Sequence, residues 1–191
     1  DSLRTATTIS GMTAIGEGAL RNATADGHVA VGYSALKATT TGTNNTAVGS
    51  SALLANTTGS NNTAVGYLAG DSLTTGGQHV LIGANAGAAL TDQHWSVFIG
   101  KDSGVSATGQ GNIGVGLDTL KSASGGYNTC VGRAAGDNIT SGENNLVLGS
   151  GGQASSATVD NEFTLGGSNV TNLRCNDTSI SSLSDERDKT D

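Results

Sequence analysis

A chain of 191 residues that is only 35% hydrophobic and 3% aromatic, with 30 glycines, is poor material for the core of a compact globular monomer. Its net charge of -7 and pI of about 4.7 exclude a phosphate-binding surface, which needs clustered Lys and Arg, and so leave no nucleic-acid partner. No apolar run approaches the about 18 residues of a membrane-spanning helix and no charged-then-apolar leader is seen, so no membrane insertion is expected, while the start at Asp1 rather than Met is expected of an excised or processed fragment.

Residues 1–10 read as a connecting segment, in which Thr5, Thr7 and Ile9 alternate with Ala6, Thr8 and Ser10 as a strand would. Over residues 11–168 an aliphatic residue followed by glycine then recurs: Ile15-Gly16, Val31-Gly32, Val48-Gly49, Val65-Gly66, Ile82-Gly83, Ile99-Gly100, Val115-Gly116, Val131-Gly132, Leu148-Gly149 and Leu165-Gly166. The glycines are 16 or 17 residues apart. A fixed short period of this kind is the signature of a stacked, quasi-one-dimensional structure. Disorder is the other reading of a Gly/Ser/Thr/Asn-rich composition, but a linker has no reason to place Val, Ile or Leu before glycine in every turn.

Each turn can be described from its fixed glycine. Three residues before it stand Thr13, Val29, Thr46, Thr63, Val80, Val97, Ile113, Thr129, Leu146 and Phe163, which share a strand face with the aliphatic residue just before the glycine. The opposite face carries Ala14, Ala30, Ala47, Ala64, Leu81, Phe98, Gly114, Cys130, Val147 and Thr164. Both faces are mostly uncharged, the pattern of a strand covered on two sides. Three residues after the glycine small residues recur, as in Ala35, Ala52 and Ala69, followed by Leu20, Leu36, Leu53 and Leu120 or by Gly70, Gly87, Gly104 and Gly136. A second short strand or a tight corner is implied. TTTG, NTTG, LTTGG and ITSG mark the return turn, and Asn44-Asn45, Asn61-Asn62 and Asn144-Asn145 open the next coil, where stacked asparagines can hydrogen-bond in ladders. The absence of proline fits a backbone whose N–H groups are nearly all needed.

A coil of 16 or 17 residues has room for two short strands and two corners, so the expected fold is all-β: a parallel β-solenoid, or β-roll, of about ten coils, roughly 50 Å tall at ~4.8 Å per coil. With about two bulky apolar side chains per coil, burial worth ~1.5–3 kcal/mol each barely offsets a backbone ordering cost of ~1–2 kcal/mol per residue. Association that covers the second apolar face offsets the rest, and a homotrimer around a long axis is the preferred assembly. The pattern Asn-x-x-Ala-[Val/Ile]-Gly-x-x-Ala resembles the repeats in the heads of trimeric autotransporter adhesins and the shafts of phage tail fibres. The resemblance implies trimeric parallel β-rolls used for surface attachment.

Residues 169–183, NVTNLRCNDTSISSL without further repeats, read as a transition into another fold. Residues 184–191, SDERDKTD, change abruptly to charge, and taken alone would be a solvated tail. Ser184, Asp185, Arg187 and Lys189 match the Ser-Asp-x-Arg-x-Lys pattern that opens the C-terminal intramolecular chaperone of endosialidase-type tail spikes, which this segment resembles. That resemblance implies self-cleavage at the Leu183-Ser184 bond, with the Ser184 hydroxyl as nucleophile and the Lys189 amine accepting its proton. A lysine serves this way only when desolvation lowers its pKa.

Other constellations have plainer readings. His28 and His79 share the register four residues before the glycine but are three coils, ~14 Å, apart. They read as surface or corner residues, with a ring of equivalent histidines across a trimer as the metal-binding alternative. Cys130 and Cys175 form neither a CxxC pair nor a disulfide framework and read as packing residues. Trp95, Phe98, Tyr33, Tyr67 and Tyr127 read as packing or corner residues, and Asp71, Asp92, Asp118 and Asp137 are too scattered for a glycosidase pair. No cofactor or metal is called for.

The function expected is structural: a host-attachment segment of a trimeric viral or phage tail fibre or tail spike, extracellular in the mature virion, with its chaperone removed by autocleavage. Its partners would be two sister chains, other virion tail proteins, and a host cell-surface glycan or protein receptor. The alternatives are a bacterial trimeric adhesin head, a polysaccharide-degrading spike, and an ice-binding solenoid. The last needs a flat threonine face, whereas threonine here falls partly at the position expected to be buried.

Overall fold

A computed structural model describes residues 10–171. Ten strands of three residues each run in chain order: β1 (Thr13–Ile15), β2 (Val29–Val31), β3 (Thr46–Val48), β4 (Thr63–Val65), β5 (Val80–Ile82), β6 (Val97–Ile99), β7 (Ile113–Val115), β8 (Thr129–Val131), β9 (Leu146–Leu148) and β10 (Phe163–Leu165). All pair in parallel with their sequence neighbours in one sheet, ordered β1 through β10. The register places equivalent residues opposite one another, as in Ala47 against Ala64 and Val48 against Val65. The chain is thus the expected parallel β-solenoid, and we call the turn containing strand βn coil n.

Each coil has one strand, not the two for which its length left room. The second short element is the tight corner, closed by residues with positive φ rather than by a β-ladder. After the fixed glycine, whose φ reaches +143° at Gly66, left-handed residues follow two positions on (Ser34, Ser51, Leu68, Asn85) and four positions on (Leu36, Leu53, Gly70, Gly87). A third left-handed column lies five residues before the glycine. The corners still bond from coil to coil: Leu68 N–H donates to Ser50 C=O (3.1 Å) and Gly70 N–H to Ala86 C=O (3.0 Å). Proline would forfeit such a bond almost anywhere along the coil. Glycine is required at the strand end for a second reason, since a Cβ on Gly66 would sit 2.4 Å from the Gly83 carbonyl oxygen of the next coil.

The core is a narrow seam inside the roll. The middle residue of each strand points into it, and Ala30, Ala47, Ala64, Leu81, Phe98, Cys130 and Val147 are fully buried. Facing them is the residue four after the glycine, and in most coils the two columns compensate in size, coil 4 being the exception: its Ala64 and Gly70 are both small, and Leu53 and Leu81 of the adjacent coils fill the space at Gly70. Where the strand offers Ala47 or Gly114, the corner supplies Leu53 or Leu120. Where the strand offers Leu81, Phe98 or Cys130, the corner supplies Gly87, Gly104 or Gly136, and a Cβ on Gly104 would lie 2.5–2.6 Å from three ring atoms of Phe98. Large side chains filling the space over small ones, within a coil or from the next, keep the seam at native packing density.

The other strand face is not covered. Val65 and Ile82 keep 37% and 38% of their surface exposed, and their column neighbours Val31, Val48 and Ile99 are half-buried. A single chain therefore covers one sheet face, not both. The outward threonines Thr46, Thr63 and Thr129 lie on this open face and are half-buried in the single chain.

Candidate functional site

Two columns beside the strands repay attention, one buried and one exposed. Four residues before the fixed glycine stand His28, Asn45, Asn62, His79, Ser96, Asn112, Asn128 and Asn145, all buried. Each asparagine side-chain oxygen accepts from the backbone N–H of its equivalent in the next coil: Asn62 N–H to Asn45 Oδ1 (2.9 Å), His79 N–H to Asn62 Oδ1 (3.1 Å), Asn128 N–H to Asn112 Oδ1 (2.9 Å), Asn145 N–H to Asn128 Oδ1 (3.0 Å). Each side-chain NH2 donates to a return-turn carbonyl, Asn62 Nδ2 to Gly76 O (3.1 Å) and Asn128 Nδ2 to Gly142 O (2.9 Å). The ladder expected from the paired asparagines is therefore present, carried by the second of each pair.

The two histidines are rungs of the same ladder. His28 Nδ1 accepts from Asn45 N–H (3.2 Å) and His79 Nδ1 from Ser96 N–H (3.1 Å), while His79 Nε2 lies 2.8 Å from the Gln93 carbonyl. At His79 an imidazole with its proton on Nε2 thus reproduces the acceptor-and-donor pair of a carboxamide, whereas His28 reproduces only the acceptor half, its buried Nε2 having no hydrogen-bond partner. Desolvation by burial holds both histidines below the usual imidazole range, outweighing the backbone hydrogen bonds that act the other way. Neither is the surface or corner residue expected, nor can either face a trimer axis, because both are enclosed within the roll. Among the described residues no group of His, Cys, Asp or Glu is arranged to hold a metal. Cys130 is a packing residue, as expected, and burial pushes its thiol up to about 12.

The exposed column is one residue earlier and defines the return corner. Its ten members, Gly11, Gly27, Asn44, Asn61, Gln78, Trp95, Gly111, Tyr127, Asn144 and Asn161, all have φ between +56° and +82°. Glycine and asparagine accept this conformation readily, whereas a bulky residue there costs about 1–3 kcal/mol. Trp95 and Tyr127 adopt it while remaining 54% and 48% exposed. Of the aromatic residues, only Phe98 packs in the core. Trp95 Nε1 donates to Gln78 Oε1 one coil below, and its ring stands 5.6 Å from that of His94. Tyr127 Oη accepts from Gln110 Nε2 (2.7 Å). The Tyr127 ring lies over Gly111, where a Cβ would meet it at 2.7 Å.

Beside Tyr127 the corners of coils 6 to 9 enclose a surface cleft of about 330 Å³, lined by Asp92, Gln93, Thr108, Gln110, Tyr127 and Glu143 among others. Gln93 Nε2 holds Asp92 Oδ1 at 2.8 Å. A second cleft, about 220 Å³, continues along the same corner over coils 4 to 6, between Thr58, Asn61, Gln78 and His94. Sequence reasoning saw Trp95 and Tyr127 only as isolated aromatics. The signal that unites them is the register itself, since both fall where neighbouring coils place glycine or asparagine.

Ser184 and Lys189, the residues expected to perform self-cleavage, lie outside the described residues, as does Cys175. Comparison with family models, with curated proteins and with solved structures finds no match.

Proposed function

We propose that this chain is a structural and host-attachment segment of a homotrimeric viral or phage tail fibre or tail spike, whose C-terminal chaperone is released by cleavage at Leu183-Ser184. The observation that supports the reading most is the open strand face. Ten strands present two outward side chains each, from Thr13 and Ile15 to Phe163 and Leu165, and none of these is charged. Twenty residues match the lower end of the about 20–30 that one partner contributes to a stable interface. A continuous uncharged stripe of this length on a monomer is an association surface or a liability. Parallel in-register coils give a stiff rod, and three chains around an axis multiply weak receptor contacts.

The test is the chain count in solution, by light scattering on the eluting protein. The mass expected is three times the 18.8 kDa of one chain. Val65→Asp and Ile82→Asp alter residues already exposed in the single chain, so the coil should persist by circular dichroism while the assembly dissociates. A stable wild-type monomer would remove the proposal. In that event Thr46, Thr63 and Thr129 on a flat outward face favour the ice-binding reading, which thermal hysteresis of the freezing point would reveal. Self-cleavage is tested separately, by expressing the chain with its natural downstream sequence. The product should be shortened in the wild type and full-length in Ser184→Ala.

A further inference from the structure

We infer that the return corner of coils 6 to 8 is a binding site for a neutral glycan, with Trp95 and Tyr127 as stacking platforms and the adjoining cleft as the polar subsite. The inference rests on the attachment reading for its place in the molecule's work, and it adds the ligand class and the location. Its starting point is a broken local rule. Eight of the ten residues in the left-handed corner column are Gly, Asn or Gln, and the two aromatic ones keep about half of their surface exposed despite the unfavourable backbone. Residues kept in such conformations while a large aromatic surface stays open concentrate at functional sites.

The chemistry present is that of sugar recognition. An aromatic face receives the C–H face of a pyranose, and here Gln78 and Gln110 hold the polar edges of Trp95 and Tyr127 and so fix the two rings. Trp95 and Tyr127 are two coils apart, ~9.6 Å along the stack, a spacing suited to alternate units of an oligosaccharide. Gly111 between them leaves the room that the Tyr127 ring occupies, since a Cβ there would meet it at 2.7 Å. The cleft supplies carboxylates (Asp92, Glu143), side-chain amides (Gln93, Gln110) and the Thr108 hydroxyl, all suited to donate to or accept from sugar hydroxyl groups. No Lys or Arg lines it. An acidic corner on a chain of net charge -7 repels sialylated, sulfated and uronic-acid glycans, so the ligand class is neutral. Binding rather than hydrolysis follows from the carboxylate spacing: Asp92 and Glu143 are on coils three apart, ~14 Å by backbone, against about 5–9.5 Å for the acid pairs of glycosidases.

The only tryptophan reports on its own site. The wild-type chain is titrated with soluble neutral oligomers of glucose, mannose, galactose and N-acetylglucosamine, and with sialylated and uronic-acid oligomers. Trp95 emission should shift with a neutral oligomer and not with the acidic ones. Tyr127→Asn, read by the same emission, and Trp95→Asn, read by calorimetry, should each weaken binding about tenfold or more. Asparagine is the residue other coils use at this position, so both variants should melt at or above the wild-type temperature. A neutral oligomer that binds wild type and both variants alike overturns the placement at this corner but leaves the attachment reading standing. Response to acidic oligomers alone, or to none, overturns the ligand class, while the chain count continues to judge the fibre independently. A lower melting temperature in Trp95→Asn would make that ring a structural element and also overturn the inference.

Discussion

The size compensation across the core seam predicts a specific rescue. Phe98→Ala removes a fully buried ring that fills space over Gly87, Gly104 and Gly114, and should cost about 3–5 kcal/mol. Gly104→Leu alone drives a side chain into a ring whose atoms already lie 2.5–2.6 Å from the position of a Cβ. Overpacking of that kind costs about 1–3 kcal/mol, and a left-handed leucine about 1–2 kcal/mol more. The double variant rebuilds the pairing of coil 3, where Ala47 faces Leu53 at φ +51°. Additive effects would destabilise it by about 5–10 kcal/mol, whereas complementarity predicts a loss of only about 1–3 kcal/mol, since leucine fills less than phenylalanine. Urea unfolding of all four proteins at matched concentration, followed by circular dichroism, gives the cycle. A double variant no more stable than the sum of the singles would refute the idea that strand and corner share one volume.

Acid should weaken the ladder. The two buried histidines have pKa values below the ordinary 6.5, so the unfolded chain takes up protons first; their contribution is complete above that pH and is lost as pH falls from 6.5 through their folded values. His28→Asn with His79→Asn should flatten the melting temperature between pH 7 and 5, and a slope equal to wild type would contradict the carboxamide-mimic reading. Asn62→Ala leaves the His79 N–H without its acceptor and the Gly76 carbonyl without that donor, for about 2–6 kcal/mol, while Asn62→His should be milder and should steepen the acid loss. Duplicating residues 44–60, one coil of seventeen residues, should give a longer particle with a melting temperature within a few degrees of wild type, because strands pair only with their neighbours. Collapse of that variant would show that the coils are not interchangeable.

The period of 16 or 17 residues, the strand at the aliphatic-glycine pair and the asparagine ladder were all legible before any coordinates, because stacking repeats one residue environment in every coil. Two things were not. The choice of covered face was ambiguous, since alternate residues Thr46, Ala47 and Val48 are all uncharged, and only the closure of the corners decides that Ala47 points inward. The role of His28 and His79 was hidden because sequence registers a histidine as a titrating or metal-binding group. Burial turns it into a neutral hydrogen-bonding part, which at His79 makes the same two contacts as asparagine and at His28 one of them. The Leu-or-Gly alternation after each corner was visible, but its meaning lay in Leu81, Phe98 and Cys130 across the seam.

The repeat also bears on how the proposed trimer would find its register. Coils 3 and 4 carry Asn45-Thr46-Ala47-Val48 and Asn62-Thr63-Ala64-Val65 in equivalent places, so a slip of one coil between sister chains would match nearly the same outward side chains. The open face therefore gives association without a unique register. Features that break the repeat, such as Phe98 with its three glycines, lie inside the roll and are invisible to a neighbouring chain. In the proposed trimer, alignment would then be supplied from outside the solenoid, which is the role proposed for the segment beginning at Ser184. The outward columns, relieved of any part in specifying the coil, are free to vary, and the two corner aromatics are where that freedom has been used against the local backbone preference.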